Sequence, residues 1–123
     1  MAHPITTKKE LYGSLPQSLS DASSLKSLTV YGNSLTGTLD SVGTAFGLEL
    51  FDGHYNQFSG TLPASIGKQS NLSYFSVANN NVHGHIPSSW AKLAQLATIG
   101  LAYNKLSGPI TPLGGMRELK VVF

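Results

Sequence analysis

The chain has 123 residues, of which 41% are hydrophobic and 11% charged, with a formal net charge of +2. This composition is typical of one folded domain with a modest core, and so small a charge does not favour nucleic acid as a partner. There is no cysteine, which excludes disulfides and thiolate metal sites. No apolar run approaches the ~20 residues that span a membrane, so this segment is not expected to insert into one.

The first predicted elements belong to a unit that recurs along the chain. ELYGSLP is a partial copy, with Leu11, Gly13 and Leu15 in register with later copies and Lys9 where they have asparagine. The first full copy, SLKSLTVYGNSLTGTL, predicts a short strand whose alternation directs Leu28 inward.

One departure from the pattern lies in the second full copy, GLELFDGHYNQFSGTLP, and another lies at the end of the copy before it. Asp40 stands where other copies have proline, and the spacing there is one residue shorter. Gly53 occupies the position of a core leucine. We therefore expect thin packing around Gly53 and a less certain register over residues 40–55.

The third and fourth copies complete the series. NLSYFSVANNNVHGHIPSSW ends in Trp90, which we expect to pack from the outer side of the repeat together with Leu93. QLATIGLAYNKLSGPI follows, and RELKVVF begins a further copy. The asparagines of the four full copies are separated by 23, 24 and 24 residues: Asn33, Asn56, Asn80 and Asn104.

This pattern resembles the leucine-rich repeat, and N-x-L-S-G-x-L/I-P resembles its plant-type subclass. Similar repeats occur in plant receptor-kinase ectodomains, in polygalacturonase-inhibiting proteins and in kinetoplastid surface antigens. The loosely kept repeats, the absence of flanking cysteines and L-P-x-x-W-like IPSSW favour the last of these. The resemblance implies an α/β fold: a right-handed solenoid with a parallel sheet on its concave face and turns or short 3₁₀ segments on its convex face. Residues 1–123 are interpreted as a single array.

The resemblance also assigns the recurring asparagine a structural role. In the family this side chain lies inside the solenoid and bonds backbone groups of its own and neighbouring turns. We therefore predict a buried ladder of Asn33, Asn56, Asn80 and Asn104, while Asn79 and Asn81 face solvent.

The outward positions of the strands supply the candidate binding residues. Neighbouring strands lie about 4.8 Å apart, so the polar and aromatic side chains of the first three full copies are close enough to form one patch. Tyrosine is typical of recognition surfaces because its apolar ring ends in a hydrogen-bonding hydroxyl. The candidate ligand-binding residues are Tyr31, Asp52, His54, Tyr55, Tyr74 and Tyr103.

Other chemistry has less support in the sequence. Asp52 and His54 point to one face of a strand, but no serine lies in a nucleophile elbow, so we assign no catalytic residue and no cofactor. His83 and His85 lack a third metal ligand, so no metal site is assigned. Asn71 lies in the one N-x-S/T sequon and is a candidate glycosylation site.

The predicted function is non-catalytic recognition of a protein or peptide by an extracellular or cell-surface protein. A structural spacer or coat module of a surface antigen, and glycan binding of the polygalacturonase-inhibitor type, are the alternatives. Both ends of the array interrupt a repeat, which suggests a piece of a longer protein and predicts end-to-end self-association. The residues expected to be uncovered are Leu11, Leu15, Leu25, Leu119, Val122 and Phe123.

Overall fold

A computed structural model describes residues 11–114 and 121–122. Lys9, Leu119 and Phe123 lie outside the described residues. The strands are β1 (Tyr12–Ser14), β2 (Ser27–Thr29), β3 (Ser34–Thr36), β4 (Leu50–Asp52), β5 (Tyr74–Ser76), β6 (His83–Gly84), β7 (Thr98–Gly100), β8 (Lys105–Leu106) and β9 (Val121–Val122). The helical segments are α1 (Asp40–Gly43) and the 3₁₀ turns Gln17–Asp21, Ala64–Lys68, Ser88–Lys92 and Thr111–Leu113.

One strand from each repeat enters the main sheet. Its order is β2-β4-β5-β7-β9, and all of its pairs are parallel. Leu28 pairs with Phe51, Phe51 with Phe75, and Phe75 with Ile99. The strand register therefore advances by one repeat per strand, including across residues 40–55.

A second line of parallel pairing runs along the side of the stack. β1 pairs with β3, β6 pairs with β8, and an isolated bridge joins Thr61 to His83. The partners here are 22 residues apart, as in His83 and Lys105. This spacing is shorter than the repeat, so the asparagine period alone does not predict it.

Short helical turns close each repeat on the side away from the main sheet. Three of the 3₁₀ turns follow prolines with extended backbone, Pro16, Pro63 and Pro87, whose ψ angles are 145°, 128° and 140°. Where Asp40 replaces proline, the preceding Leu39 has ψ 14° and a single α-helical turn forms instead. Proline fixes φ and lacks an N–H, so its loss together with the shorter spacing accounts for the different turn.

The core is continuous along the stack and rich in aromatic rings. Phe51, Phe58, Phe75 and Trp90 are each 0% exposed. The ring centroids of Phe51 and Phe75 are 5.7 Å apart, and those of Phe75 and Trp90 are 5.3 Å apart in an edge-to-face contact. Leu93 is also buried. Trp90 and Leu93 therefore pack into the core from the side opposite the main sheet, which agrees with the expectation from the sequence.

The expectation of thin packing at Gly53 is wrong. A Cβ atom added there would lie 2.8 Å from Phe51 Cζ and 3.0 Å from Phe58 Cε2. The two phenylalanine rings occupy the volume that Val30, Val77 and Leu101 take at the equivalent positions of the other repeats. Gly53 is therefore tightly packed, because large neighbours compensate for the missing side chain.

Gln69 introduces a polar group into this core. Its side chain is 0% exposed, and its Nε2 donates a hydrogen bond of 2.6 Å to the carbonyl oxygen of Val42. Within the described residues Oε1 accepts no hydrogen bond. The bond links α1 to the 3₁₀ turn of the following repeat.

Candidate functional site

The recurring asparagines each join two repeats. The Oδ1 of Asn80 accepts a hydrogen bond from the N–H of Phe58 at 2.9 Å. Its Nδ2 donates to the carbonyl oxygens of Gly53 at 3.0 Å and Val77 at 2.9 Å. One side chain thus contacts the backbone of its own turn and that of the preceding repeat.

The same geometry recurs at the other three positions. Asn33, Asn56 and Asn104 accept from N–H groups of the preceding repeat at 3.1, 3.0 and 2.9 Å. Asn33, Asn56 and Asn80 are each 8% exposed, whereas Asn104 is half-buried. Asn81, immediately after Asn80, is exposed. Since buried polar groups require partners, we propose that these asparagines are structural.

The face of the main sheet that points away from the core, hereafter the open sheet face, is the candidate binding surface. Its side chains lie in three rows across the strands because alternate residues of a strand share a face. The strand pairing and the backbone hydrogen bonds that continue it align these rows. They are Ser27, Leu50, Tyr74 and Thr98; Thr29, Asp52, Ser76 and Gly100; and Tyr31, His54, Ala78 and Ala102.

The centre of this face is a contact between an acid, an imidazole and a phenol ring. Asp52 Oδ1 lies 2.5 Å from His54 Nδ1 and also accepts the backbone N–H of His54 at 3.3 Å. The rings of Tyr31 and His54 are stacked, with centroids 4.8 Å apart and an interplanar angle of 5°. Asp52 thereby fixes the imidazole, which in turn supports the tyrosine ring.

Tyr55 extends this group at the end of the strand. Its ring meets His54 edge-on with a centroid distance of 5.5 Å, and the residue is 57% exposed. Its backbone has φ 56°, a region that bulky residues seldom adopt. Asn79, at the equivalent position of the next repeat, has φ 59°, so the repeat itself imposes this conformation.

Tyr74 lies on the neighbouring strand, half-buried. Burial raises the pKa of its hydroxyl above the usual 10.0, and the negative charge of Asp52 raises it further. The raised pKa keeps the Tyr74 hydroxyl protonated to a higher pH than that of an ordinary tyrosine, so that it remains a hydrogen-bond donor there. Tyr31, Asp52, His54, Tyr55 and Tyr74 together are hereafter the Asp52 cluster.

Tyr103 is not part of this cluster. It occupies the same turn position as Tyr55 two repeats later, about 10 Å away at the usual strand spacing, and is 80% exposed. The small residues Ala78, Gly100 and Ala102 lie on the intervening open sheet face. Tyr103 thus flanks a shallow strip rather than contacting the other candidate residues.

The remaining candidates are placed separately. Asn71 is exposed just before the buried Leu72. His83 and His85 are exposed on the side of the stack, and the His85 ring lies against Gly108. Over residues 11–114 and 121–122, no three histidine, aspartate or glutamate residues are grouped to hold a metal ion. Among the same residues, no helix has the length and apolar character to cross a bilayer.

Comparison with known proteins agrees with this architecture. The family model described as Leucine Rich Repeat matches residues 71–93. No curated protein gave a significant match. Similar solved structures include the ectodomain of the Arabidopsis thaliana membrane receptor kinase GASSHO1/SCHENGEN3 in complex with CASPARIAN STRIP INTEGRITY FACTOR 2, with 29% identity over 90% of this chain and a TM-score of 0.83.

Two structures of the Arabidopsis receptor kinase HAESA are also similar. Its ectodomain with an N-terminally extended IDA peptide hormone has 29% identity over 90% of this chain and a TM-score of 0.84. HAESA with IDA and the co-receptor SERK1 has 34% identity over 91% of this chain and a TM-score of 0.81. The chain spans 14%, 19% and 20% of the lengths of the matched chains in these three structures.

The predicted α/β solenoid is confirmed by these likenesses, and its parallel strands and short turns follow the repeat copy by copy. The similar structures are plant receptor ectodomains, while the resemblance to kinetoplastid surface antigens stays a prediction. The chain contains a leucine-rich repeat at residues 71–93, and its fold is similar to that of plant receptor ectodomains built from such repeats.

Proposed function

We propose that the chain is a non-catalytic recognition module that binds a protein or peptide through the open sheet face. The observation that carries this proposal is the Asp52 cluster, in which a fixed imidazole supports an aromatic surface beside a carboxylate. Aromatic side chains with a polar tip are enriched where proteins bind partners. Fixing the rings in advance reduces the side-chain entropy lost on binding.

The similar proteins support the choice of a peptide as partner. The GASSHO1/SCHENGEN3 and HAESA ectodomains were solved with peptide or protein factors bound. Both are ectodomains of receptor kinases. By analogy with them, we propose an extracellular or cell-surface location for this chain. We also propose that the chain is part of a surface antigen and that Asn71 carries a glycan.

The dimensions of the open sheet face suit a short extended segment. From β2 to β7 there are three strand spacings, which amount to about 14 Å. An extended peptide rises about 3.3 Å per residue, so four or five residues cross this distance. Such a segment would run from Tyr31 past the small residues Ala78 and Ala102.

Selection from a random peptide library displayed on phage tests the proposal. We expect enriched peptides to bind the purified chain and to lose binding when Tyr31, His54 or Tyr74 is replaced by alanine. Tyr12→Ala is the matched control, because Tyr12 is 79% exposed but lies on β1, outside the main sheet. The control should bind as the unaltered chain does.

The outcome also separates the alternatives. A spacer or coat module would enrich no peptide, and the alanine variants would behave like the parent chain. Glycan binding of the polygalacturonase-inhibitor type would appear as retention on immobilised polygalacturonate that the same three substitutions abolish. Either result would contradict peptide recognition.

A further inference from the structure

We infer that the Asp52 cluster binds a cationic side chain of the ligand, with arginine as the preferred residue. This inference rests on the proposed function, since it concerns the ligand of the same face. The observations that carry it are the charge of the face, the unused oxygen of Asp52 and the flat ring surface beside it.

The first observation is charge. Among the twelve residues of the three rows, Asp52 is the sole carboxylate, and no lysine or arginine is present. Asp52 is only 9% exposed, so its charge is partly removed from water. A desolvated charge is costly without a partner, and its attraction to an opposite charge is stronger than at an open surface. A cation on the ligand would satisfy it.

The second observation is the geometry of the carboxylate. Within the described residues, both hydrogen bonds that Asp52 accepts from His54 fall on Oδ1. A neutral imidazole that donates its Nδ1–H to Oδ1 leaves the negative charge in place. Oδ2 therefore remains as an acceptor for a ligand, and a hydrogen bond between charged groups is about twice as strong as a neutral one.

The third observation distinguishes arginine from lysine. The stacked rings of Tyr31 and His54, only 5° from parallel, provide a flat π surface close to the carboxylate. A guanidinium is planar and stacks on such rings while donating N–H groups in its plane. The ammonium group of lysine is also attracted to the negative charge of Asp52, but it is not planar and gains less from contact with the rings.

A titration followed by NMR tests the inference directly. The isotopically labelled chain is titrated at pH 8 with N-acetyl-arginine amide and with its uncharged analogue N-acetyl-citrulline amide. We expect the arginine probe to shift the amide signals of Asp52, His54 and Tyr74 and to bind at least about tenfold more tightly than citrulline. Equal affinities for the two probes would overturn the inference.

Matched variants locate the effect. Asp52→Asn should weaken binding of the arginine probe at least about tenfold, whereas Glu49→Gln, which neutralises an exposed carboxylate nearby, should leave it unchanged. Tyr31→Leu keeps the carboxylate but removes the tyrosine ring from the π surface, and should reduce the preference for N-acetyl-arginine amide over N-acetyl-lysine amide. Binding that survives Asp52→Asn in a folded variant would contradict the assignment.

Failure of this inference can be told from failure of the proposed function. If phage-selected peptides bind the open sheet face but contain no basic residue and tolerate Asp52→Asn, recognition stands and the cation site is wrong. If the library enriches no peptide while the arginine probe still shifts the Asp52 cluster, the cation site stands and peptide recognition is wrong.

Discussion

At the scale of the residue, asparagine connects the repeats because it carries a donor and an acceptor on one short side chain. Asn80 accepts a hydrogen bond from an N–H of the preceding repeat and donates hydrogen bonds to carbonyl oxygens of the preceding repeat and of its own. Neither aspartate, which has no donor, nor leucine, which has no polar group, can make all three contacts. The requirement explains why asparagine recurs at the period.

Replacement of Asn80 by alanine should destabilise the chain. The change leaves the buried N–H of Phe58 without its partner and removes one of the two side-chain hydrogen bonds to the carbonyl of Gly53, which keeps the bond from Asn56 Nδ2. An unpaired buried group costs about 1–3 kcal/mol. Urea denaturation followed by circular dichroism measures the loss. Asn81→Ala, one residue away and exposed, is the control and should change the unfolding free energy little. Equal losses in both variants would show that the ladder has been assigned to the wrong residue.

Tyr74 should ionise later than an ordinary tyrosine. Because its pKa is raised in the folded chain, its contribution to stability is complete below pH 10 and is lost as the pH rises through the folded value. Absorbance at the phenolate wavelength should show an ionisation above pH 10 that Tyr74→Phe removes. Asp52→Asn should lower this pKa only in part, since burial is the larger cause. If Asp52→Asn returned the pKa of Tyr74 to its usual value, burial would not be the larger cause.

Alternation along the strands was enough to predict which residues lie on the open sheet face. It was not enough to predict that Tyr31 stacks on His54 or that Asp52 orients the imidazole. Those contacts depend on side-chain rotamers, which the period of a strand leaves open. The Asp52 cluster is therefore smaller than the set of candidate residues, and Tyr103 lies apart.

At the scale of the element, the outer turns are joined by side chains that reach one repeat back. Trp90 Nε1 donates to the carbonyl oxygen of Pro63 at 2.9 Å, and Ser89 Oγ donates to that of Ala64 at 2.7 Å. The first bond is buried and the second is exposed. The two bonds link the same pair of turns in different surroundings.

Trp90→Phe should therefore cost more than Ser89→Ala. Phenylalanine retains an aromatic ring against Phe75 but removes one of the two hydrogen bonds to the carbonyl of Pro63, which keeps the bond from the N–H of Ile66. Loss of one buried hydrogen bond costs about 0.5–1.5 kcal/mol. The exposed carbonyl of Ala64 can bond water instead. Thermal unfolding followed by circular dichroism compares the two variants, and a larger loss from Ser89→Ala would contradict the role given to Trp90.

The repeat predicted the strands and their register, but not every element. The α-helical turn at Asp40 reflects both a missing proline and a shortened spacing. The packing of Gly53 depends on Phe51 and Phe58. Comparing the repeats one position at a time does not take such neighbours into account. Side-chain volume is shared among neighbours, so the core compensates in ways that a consensus does not express.

At the scale of the whole molecule, the first turn is less covered than the middle of the array. Leu11 and Tyr12 are 53% and 79% exposed, and Leu15 and Leu25 are half-buried, whereas Leu39 and Leu48 are fully buried. Each repeat of a solenoid covers the core of its neighbour. Exposed apolar surface of this kind favours association with another molecule.

We predict that the chain associates end to end at high concentration. Sedimentation velocity should show a weight-average mass that rises with concentration, and Leu11→Lys should reduce the rise. Phe46→Lys is the control, since Phe46 is 51% exposed but belongs to a middle repeat. A mass that stays at 13.0 kDa up to millimolar concentration would contradict the prediction. The part expected from Leu119, Phe123 and the Val122 side chain falls outside the described residues.

The direction of the asparagine bonds has a consequence for synthesis. Each ladder asparagine accepts a backbone N–H that lies 21 or 22 residues earlier in the chain. Translation therefore adds the residues of every repeat before the asparagine that completes their hydrogen bonds. During translation the newest turn is always the unfinished one, and each added asparagine secures the turn that emerged before it.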